Sequence, residues 1–202
     1  SDLAGNAATQ ATDSTSKDST PPTIAISSDV ASLKAGDTAK LSFALSEAST
    51  DFTDSDLTVS GGAISGFSGS GTSYSSTFTP SSNSTADGVI SVASAKFSDS
   101  AGNTNSDGSD SNNSVTLSVD TVRPTFSSAA TSKDGAKVIL TYDETLSSTT
   151  APTSAFAVTT DGAVNAVTAV TNNDATSELT LTNTIKSNQA VTVAYTDPSS
   201  SD

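Results

Sequence analysis

Short runs in which apolar and polar residues alternate constrain this chain more than any other feature: AKLSFALS at 39–46, SVTLSVD at 114–120, AVTVAYT at 190–196. A period of two puts successive side chains on opposite faces, so each run can bury one face only as a β-strand. No helix-length segment carries a capped apolar stripe of period 3.6, and helix content is expected to be minimal. Gly, Asn, Asp and Ser clusters separate the runs, as turns require. Strands are expected at 23–27, 39–46, 56–60, 63–68, 74–79, 89–97 and 114–120, and again at 126–131, 136–142, 155–159, 163–170, 177–182 and 190–196. Seven strands in about 100 residues is the immunoglobulin-like number. The fold class expected is all-β, with tandem immunoglobulin-like β-sandwiches in a linear array.

The chain also repeats itself. Residues 1–23 and 98–125 both open on S-D-x-A-G-N and close on D-x-x-x-P-T. KLSFALSE at 40–47 and KVILTYDE at 137–144 align without a gap as Lys, apolar, x, apolar, x, apolar, x, Glu. These repeats predict three pieces: 1–17 as the final strand of a preceding repeat, 18–120 as one sandwich, and 121–202 as a second sandwich lacking its last strand. The chain is accordingly expected to begin and end inside repeats of a longer fibre. Pro124 restricts Arg123 and donates no hydrogen bond, so the linker at 120–125 should be short and extended.

Composition narrows the chemistry. With 22 acidic and 8 basic side chains the net charge is −14, which repels nucleic-acid phosphates and anionic lipid and attracts cations. Cys, His, Met and Trp are absent. That removes disulfides, thiolate and imidazole metal ligands, and Ser-His or Cys-His nucleophile pairs. Oxygen ligands for hard cations, Ca²⁺ above all, remain. No run approaches the roughly 20 apolar residues of a membrane span. An enzyme is not expected: Asp143 and Glu144, adjacent on a strand, point to opposite faces, and the Gly-rich stretch at 60–73 lacks the Lys and the strand-turn-helix setting of a phosphate loop. It reads as bulges and hairpin turns instead. DGSDSNN at 107–113 does not satisfy the EF-hand pattern and reads as a flexible hydrophilic loop.

In a Greek-key sandwich the start of the first strand, the end of the second and the end of the sixth share one pole. That places Asp18, Glu47, Asp99 and Asn103 together in the first module, with Asp51 in reach and Lys17 and Lys96 the nearest lysines in sequence. The same reasoning gathers Asp120, Asp143 and Glu144 at the second module's pole, beside the junction. Carboxylates so crowded repel one another unless a cation neutralises them, and Ca²⁺ is the expected one.

Residues 18–120, with DSTPPTIAI, LKAGDTAKLSFALSEASTDFTDSDLTVSGGAISGFSGSGTSYSSTFTP and FSDSAGN, resemble the bacterial Ig-like repeats of giant surface adhesins and biofilm-associated proteins. Residues 121–202, with DGAKVILTYDETLSSTTAPTSAFAVTTDG and SNQAVTVAYTDP, resemble the repeats of the cyanobacterial swimming-motility cell-surface protein. The resemblance implies an extracellular stalk of tandem sandwiches made rigid by calcium at module junctions, with an adhesive or structural duty. Its partners would be neighbouring repeats of the same chain, other copies of itself, and a cell-surface or matrix ligand. Two other readings stay open. One is a self-assembling filament or surface-layer subunit completed by a strand from a neighbouring chain. The other is a glycan- or protein-binding module, although sugar sites favour an exposed aromatic platform, and Tyr142 and Tyr195 alternate like core residues.

Overall fold

The computed structural model describes residues 3–7 and 16–198. Most of the strand expected within 1–17 lies outside the described residues; 3–7 form a turn and a short loop. The chain divides into two compact units, Ser1–Asp120 and Thr121–Asp202. All-β architecture holds in both, with no helix beyond single 3-10 turns among the described residues.

In the first unit the strands are β1 (Ile24–Ser28), β2 (Ser32–Lys34), β3 (Ala39–Ser49), β4 (Leu57–Ser60), β5 (Gly62–Pro80), β6 (Gly88–Val92) and β7 (Ser114–Asp120). One sheet has the order β1-β3-β5, the other β2-β7-β6-β4. Alternation does its work most plainly in β3, where Ala39, Leu41, Phe43 and Leu45 are buried and the residues between them are exposed. Glu47 continues the inward-facing parity at the strand's end, which sets its carboxylate at the rim of the core. Burying each such Leu or Phe contributes about 1.5–3 kcal/mol.

β5 doubles back on itself. Ser81 N–H donates to the Gly61 carbonyl at 2.9 Å, Gly62 lies against the Thr79 carbonyl, and the Phe67 and Tyr74 rings stack at 5.8 Å. The reversal falls around Gly71, whose φ of 64° suits glycine. The two strands expected at 63–68 and 74–79 are therefore the arms of this hairpin. The sixth strand stops earlier than alternation suggests: Ala95 takes a φ of 60°, and Lys96 and Phe97 give their amide protons to the Asn105 side chain instead of a strand. β2 was not expected at all; it pairs in parallel with β7, Ser32 opposite Ser118 and Lys34 opposite Asp120.

The second unit contains β8 (Phe126–Thr131), β9 (Lys137–Tyr142), β10 (Phe156–Thr160), β11 (Ala163–Val164), β12 (Val167–Asn173), β13 (Thr176–Leu181) and β14 (Val191–Tyr195). Its sheets run β12-β13-β9-β8 and β11-β10-β14, around a core led by Val138, Leu140, Val158 and Leu179. The single strand expected at 163–170 is two, because the chain crosses between sheets at Asn165. That side chain is buried; it donates to the Asn183 carbonyl at 2.8 Å and to Thr160 Oγ1 at 3.2 Å, and accepts from Asn183 N–H at 2.9 Å.

Candidate metal centre

Asp18, Glu47 and Asp99 come together in the first unit, each offering a carboxylate oxygen within 4.8 Å of the others. A Ca²⁺ ion sits about 2.4 Å from each oxygen ligand, so about 4.8 Å is the widest separation a single ion can span. The three residues arrive from three places in the sequence, and local bonding fixes each arm.

The arm carrying Asp18 is held by a reciprocal clip. Thr23 N–H donates to Ser46 Oγ at 2.8 Å and Ser46 N–H returns to the Thr23 carbonyl at 2.9 Å, binding the entering chain to the end of β3 next to Glu47. Asp18 itself accepts Thr20 N–H at 3.0 Å. The arm carrying Asp99 is a tight turn: Asp99 Oδ1 accepts the amides of Ala101 and Asn103 at 2.8 Å, and Gly102 takes a φ of 86°. Asn103 is drawn to the same place, with its Nδ2 donating to Asp99 Oδ2 at 2.8 Å, so in this arrangement it aims Asp99. Asp51 stands beside the cluster. It accepts Ser98 N–H at 2.9 Å and the hydroxyls of Ser98 and Ser49, fastening the β3 exit to the Asp99 turn.

Aromatic packing joins the β3 exit to the Asp99 turn. Phe52 follows the Ser49 turn and Phe97 precedes Ser98; their rings meet at 5.2 Å, and Phe52 also packs on Tyr74 at 5.1 Å. Tyr74 donates its hydroxyl to the Ser49 carbonyl at 2.8 Å.

Burial, then the charges of Asp18 and Asp99, push the Glu47 carboxyl above the ordinary glutamate range. The Asn103 side chain, helped by the amides of the turn and opposed by burial, holds Asp99 below the ordinary range. Burial raises Asp51, but the Ser98 hydroxyl and amide and the Ser49 hydroxyl outweigh it and leave the group lowered. No ion pair among the described residues reaches Asp18, Glu47 or Asp99. Crowded, uncompensated oxygen ligands of this kind fit a hard cation.

In the second unit Asp143 and Glu144 part company. Asp143 Oδ1 accepts Thr125 N–H at 2.7 Å and Asp143 N–H donates to the Thr125 carbonyl at 3.1 Å. This is the Thr23–Ser46 clip again, with Asp143 where the first unit has Ser46, and Thr125 N–H leads the effects that lower its carboxyl. Glu144 then stands where Glu47 does, one residue beyond the clip, on the parity of buried Val138 and Leu140. Asp120 is the last residue of β7 and the sequence counterpart of Asp18.

Residues 107–113, expected as a flexible hydrophilic loop, are exposed over 109–112 but anchored to the first unit at each end. Asp107 is buried and accepts Ile24 N–H at 2.7 Å and Asn105 Nδ2 at 3.2 Å, and Asn105 and Asn113 are buried with it. Asx residues at short spacing were the only signal, and they mark exposed turns as readily.

Residues 18–116 match the bacterial Ig-like domain, and residues 119–200 match a putative flagellar system-associated repeat. The chain carries one module of each family. Both resemblances drawn from the sequence thus hold, and the carboxylate cluster belongs to the Ig-like domain. Domains of these two kinds are structural modules of surface-associated repeat proteins. No curated protein matches the chain. Among the described residues no helix is long and apolar enough to cross a membrane.

Proposed function

We propose that the chain is a structural and adhesive segment of a long extracellular bacterial surface protein, in which Ca²⁺ stiffens the modules at their junctions, in the service of cell adhesion or biofilm. The observation that carries the reading is the convergence of Asp18, Glu47 and Asp99. Asp18 lies on the segment that enters the Ig-like domain, so a cation shared with Glu47 and Asp99 would restrain that segment against the body of the domain. The ion would supply charge neutralisation and extra oxygen coordination, completed by water and loop carbonyls. In the flagellar system-associated repeat, sequence correspondence assigns Asp120 and Glu144 the places of Asp18 and Glu47, with Asp143 as the clip. A duty of scaffolding rather than catalysis agrees with both module families.

Isothermal titration of the chelator-treated chain with Ca²⁺ and Mg²⁺ tests the reading. Saturable Ca²⁺ binding that Asp99→Asn weakens at least tenfold is expected. Absence of binding at millimolar Ca²⁺ removes calcium from the proposal.

A further inference from the structure

A cleft in the second unit carries chemistry that calcium does not use. It measures about 350 Å³, at the low end of the range for small-molecule sites, and lies between the β10–β11 hairpin and the loop that follows β13. One wall is set by local sequence. Thr160 pairs with Ala163 and Thr159 with Val164 across Asp161 and Gly162, whose φ angles of 51° and 80° make the two-residue turn that Asp-Gly favours. The other wall carries Asn183, Thr184, Lys186 and Gln189.

Both walls are fixed from within. Asp161 N–H donates to the Ala190 carbonyl at 2.8 Å, and the Asp161 carboxylate accepts Ala190 N–H at 2.9 Å and Gln189 Nε2 at 3.1 Å. Gln189 Oε1 accepts Lys186 N–H at 2.8 Å, which closes the loop on itself. At the base, buried Asn165 joins Asn183 to Thr160 through the bonds described above. A ligand therefore does not have to order either wall.

The polar groups left over are one-sided. The amide oxygens of Asn165 and Gln189 are engaged by Asn183 N–H and Lys186 N–H. Thr160 Oγ1 accepts from Asn165, so its own proton is left to donate, and of the two Gln189 Nε2 protons one goes to Asp161. Lys186 Nζ enters no ion pair among the described residues. Hydroxyl, amide and ammonium donors thus line a cleft whose amide acceptors are already engaged. Such a set recognises a ligand rich in oxygen acceptors, one of them charged. Val164, 81% exposed, lies beside Ala163 in the same lining and offers an apolar surface to the C–H face of a ring. In a chain of net charge −14 a carboxylate is repelled over most of the surface, so the lysine decides where it is held. No aromatic platform takes part. Tyr195, expected in the core from its alternation, is instead 50% exposed against Phe156 and does not line the cleft.

We propose that this cleft binds an acidic sugar, a uronic-acid residue of an extracellular polysaccharide. Lys186 holds the carboxylate, Thr160 and Gln189 donate to ring and hydroxyl oxygens, and Val164 packs against the ring. The site gives the adhesive duty proposed above a chemical target and rests on that reading only for the polysaccharide being met outside the cell. It uses no residue of the Asp18, Glu47 and Asp99 cluster.

Amide NMR shifts of the full chain in chelator test this, with trigalacturonate, a neutral galactose trisaccharide and acetate as probes. Saturable shifts at residues 160–165 and 183–189 are expected with trigalacturonate alone. Lys186→Gln changes an exposed side chain and should weaken binding about tenfold while keeping the wild-type melting curve. Val164→Asp sets a negative charge in the lining and should weaken it to a similar degree. Asp99→Asn should leave sugar binding unchanged, so failure of the calcium reading and failure of this one are told apart. Absence of shifts at about 10 mM trigalacturonate overturns the proposal. So does binding that appears only with calcium, equal binding of the neutral sugar or of acetate, or indifference to Lys186→Gln.

Discussion

Glu47→Gln should change sign with the cation present. The substitution keeps size and removes the one carboxyl that burial and the Asp18 and Asp99 charges push upward. In chelator the variant Ig-like domain should therefore melt at or above the wild-type temperature. Calcium reverses the order. At free Ca²⁺ one hundred times Kd, binding stabilises wild type by about 2.7 kcal/mol. In a domain of about 100 residues each kcal/mol moves Tm by roughly 4–8 °C, so the calcium shift should be roughly 10–20 °C. If losing one of three carboxylates weakens the site about tenfold, the same calcium gives the variant about 1.4 kcal/mol, half the shift. Scanning calorimetry of both proteins in chelator, Ca²⁺ and Mg²⁺ reads all of this. A variant that melts lower than wild type in chelator, or shows the full calcium shift, refutes the reasoning.

Further outcomes follow from the same geometry. Without calcium, the raised Glu47 carboxyl contributes stability below its unfolded value, near pH 4.3, and loses it as pH rises through the folded value. Asp51 and Asp99, both lowered, contribute above the ordinary aspartate value and lose stability as pH falls through their folded values. Melting of the calcium-free domain should accordingly peak in mild acid, and Glu47→Gln should flatten the rise from neutrality. Tyr74→Phe strips the Ser49 carbonyl of its buried donor and should cost about 1–3 kcal/mol in urea unfolding. Asn165→Ala leaves the Asn183 amide and carbonyl without their partner and should cost at least about 2 kcal/mol, with faster exchange at the Asn183 amide. Lys137→Met breaks the 2.6 Å pair with Glu178, whose side chains are partly exposed; under about 1 kcal/mol is expected, shrinking in high salt.

Strand existence was legible wherever alternation and tertiary burial agree. β7 coincides with its expected span, buried Leu117 and Val119 alternating with exposed residues; β8 coincides with its own although all six of its residues are exposed and its pairing with β9 slips between Phe126 and Ser128. Alternation is blind to what the strand pairs with, so it ran straight through Asn165, where the chain changes sheets, and past Ala95, where a left-handed residue ends pairing. β2 is too short for any period to show. The cluster of Asp18, Glu47 and Asp99 was readable because sandwich topology fixes which strand ends share a pole. The division of labour between Asp143 and Glu144 was not, since it depends on which carboxylate meets the Thr125 amide. Nor was the burial of Asn105, Asp107 and Asn113, polar residues whose positions depend on distant backbone such as Ile24.

The parallel pairing of β2 with β7 has a mechanical corollary. One strand lies near the entrance of the Ig-like domain and the other at its exit, and both point the same way. Tension applied at the two ends draws these strands past each other lengthwise, so the hydrogen bonds between Ser32–Lys34 and Ser118–Asp120 share the load and must yield together. An antiparallel pair at the same place would open like a zipper, one rung at a time. A strand of three residues, with Leu33 alone in the core, thereby sets how the domain gives way under force.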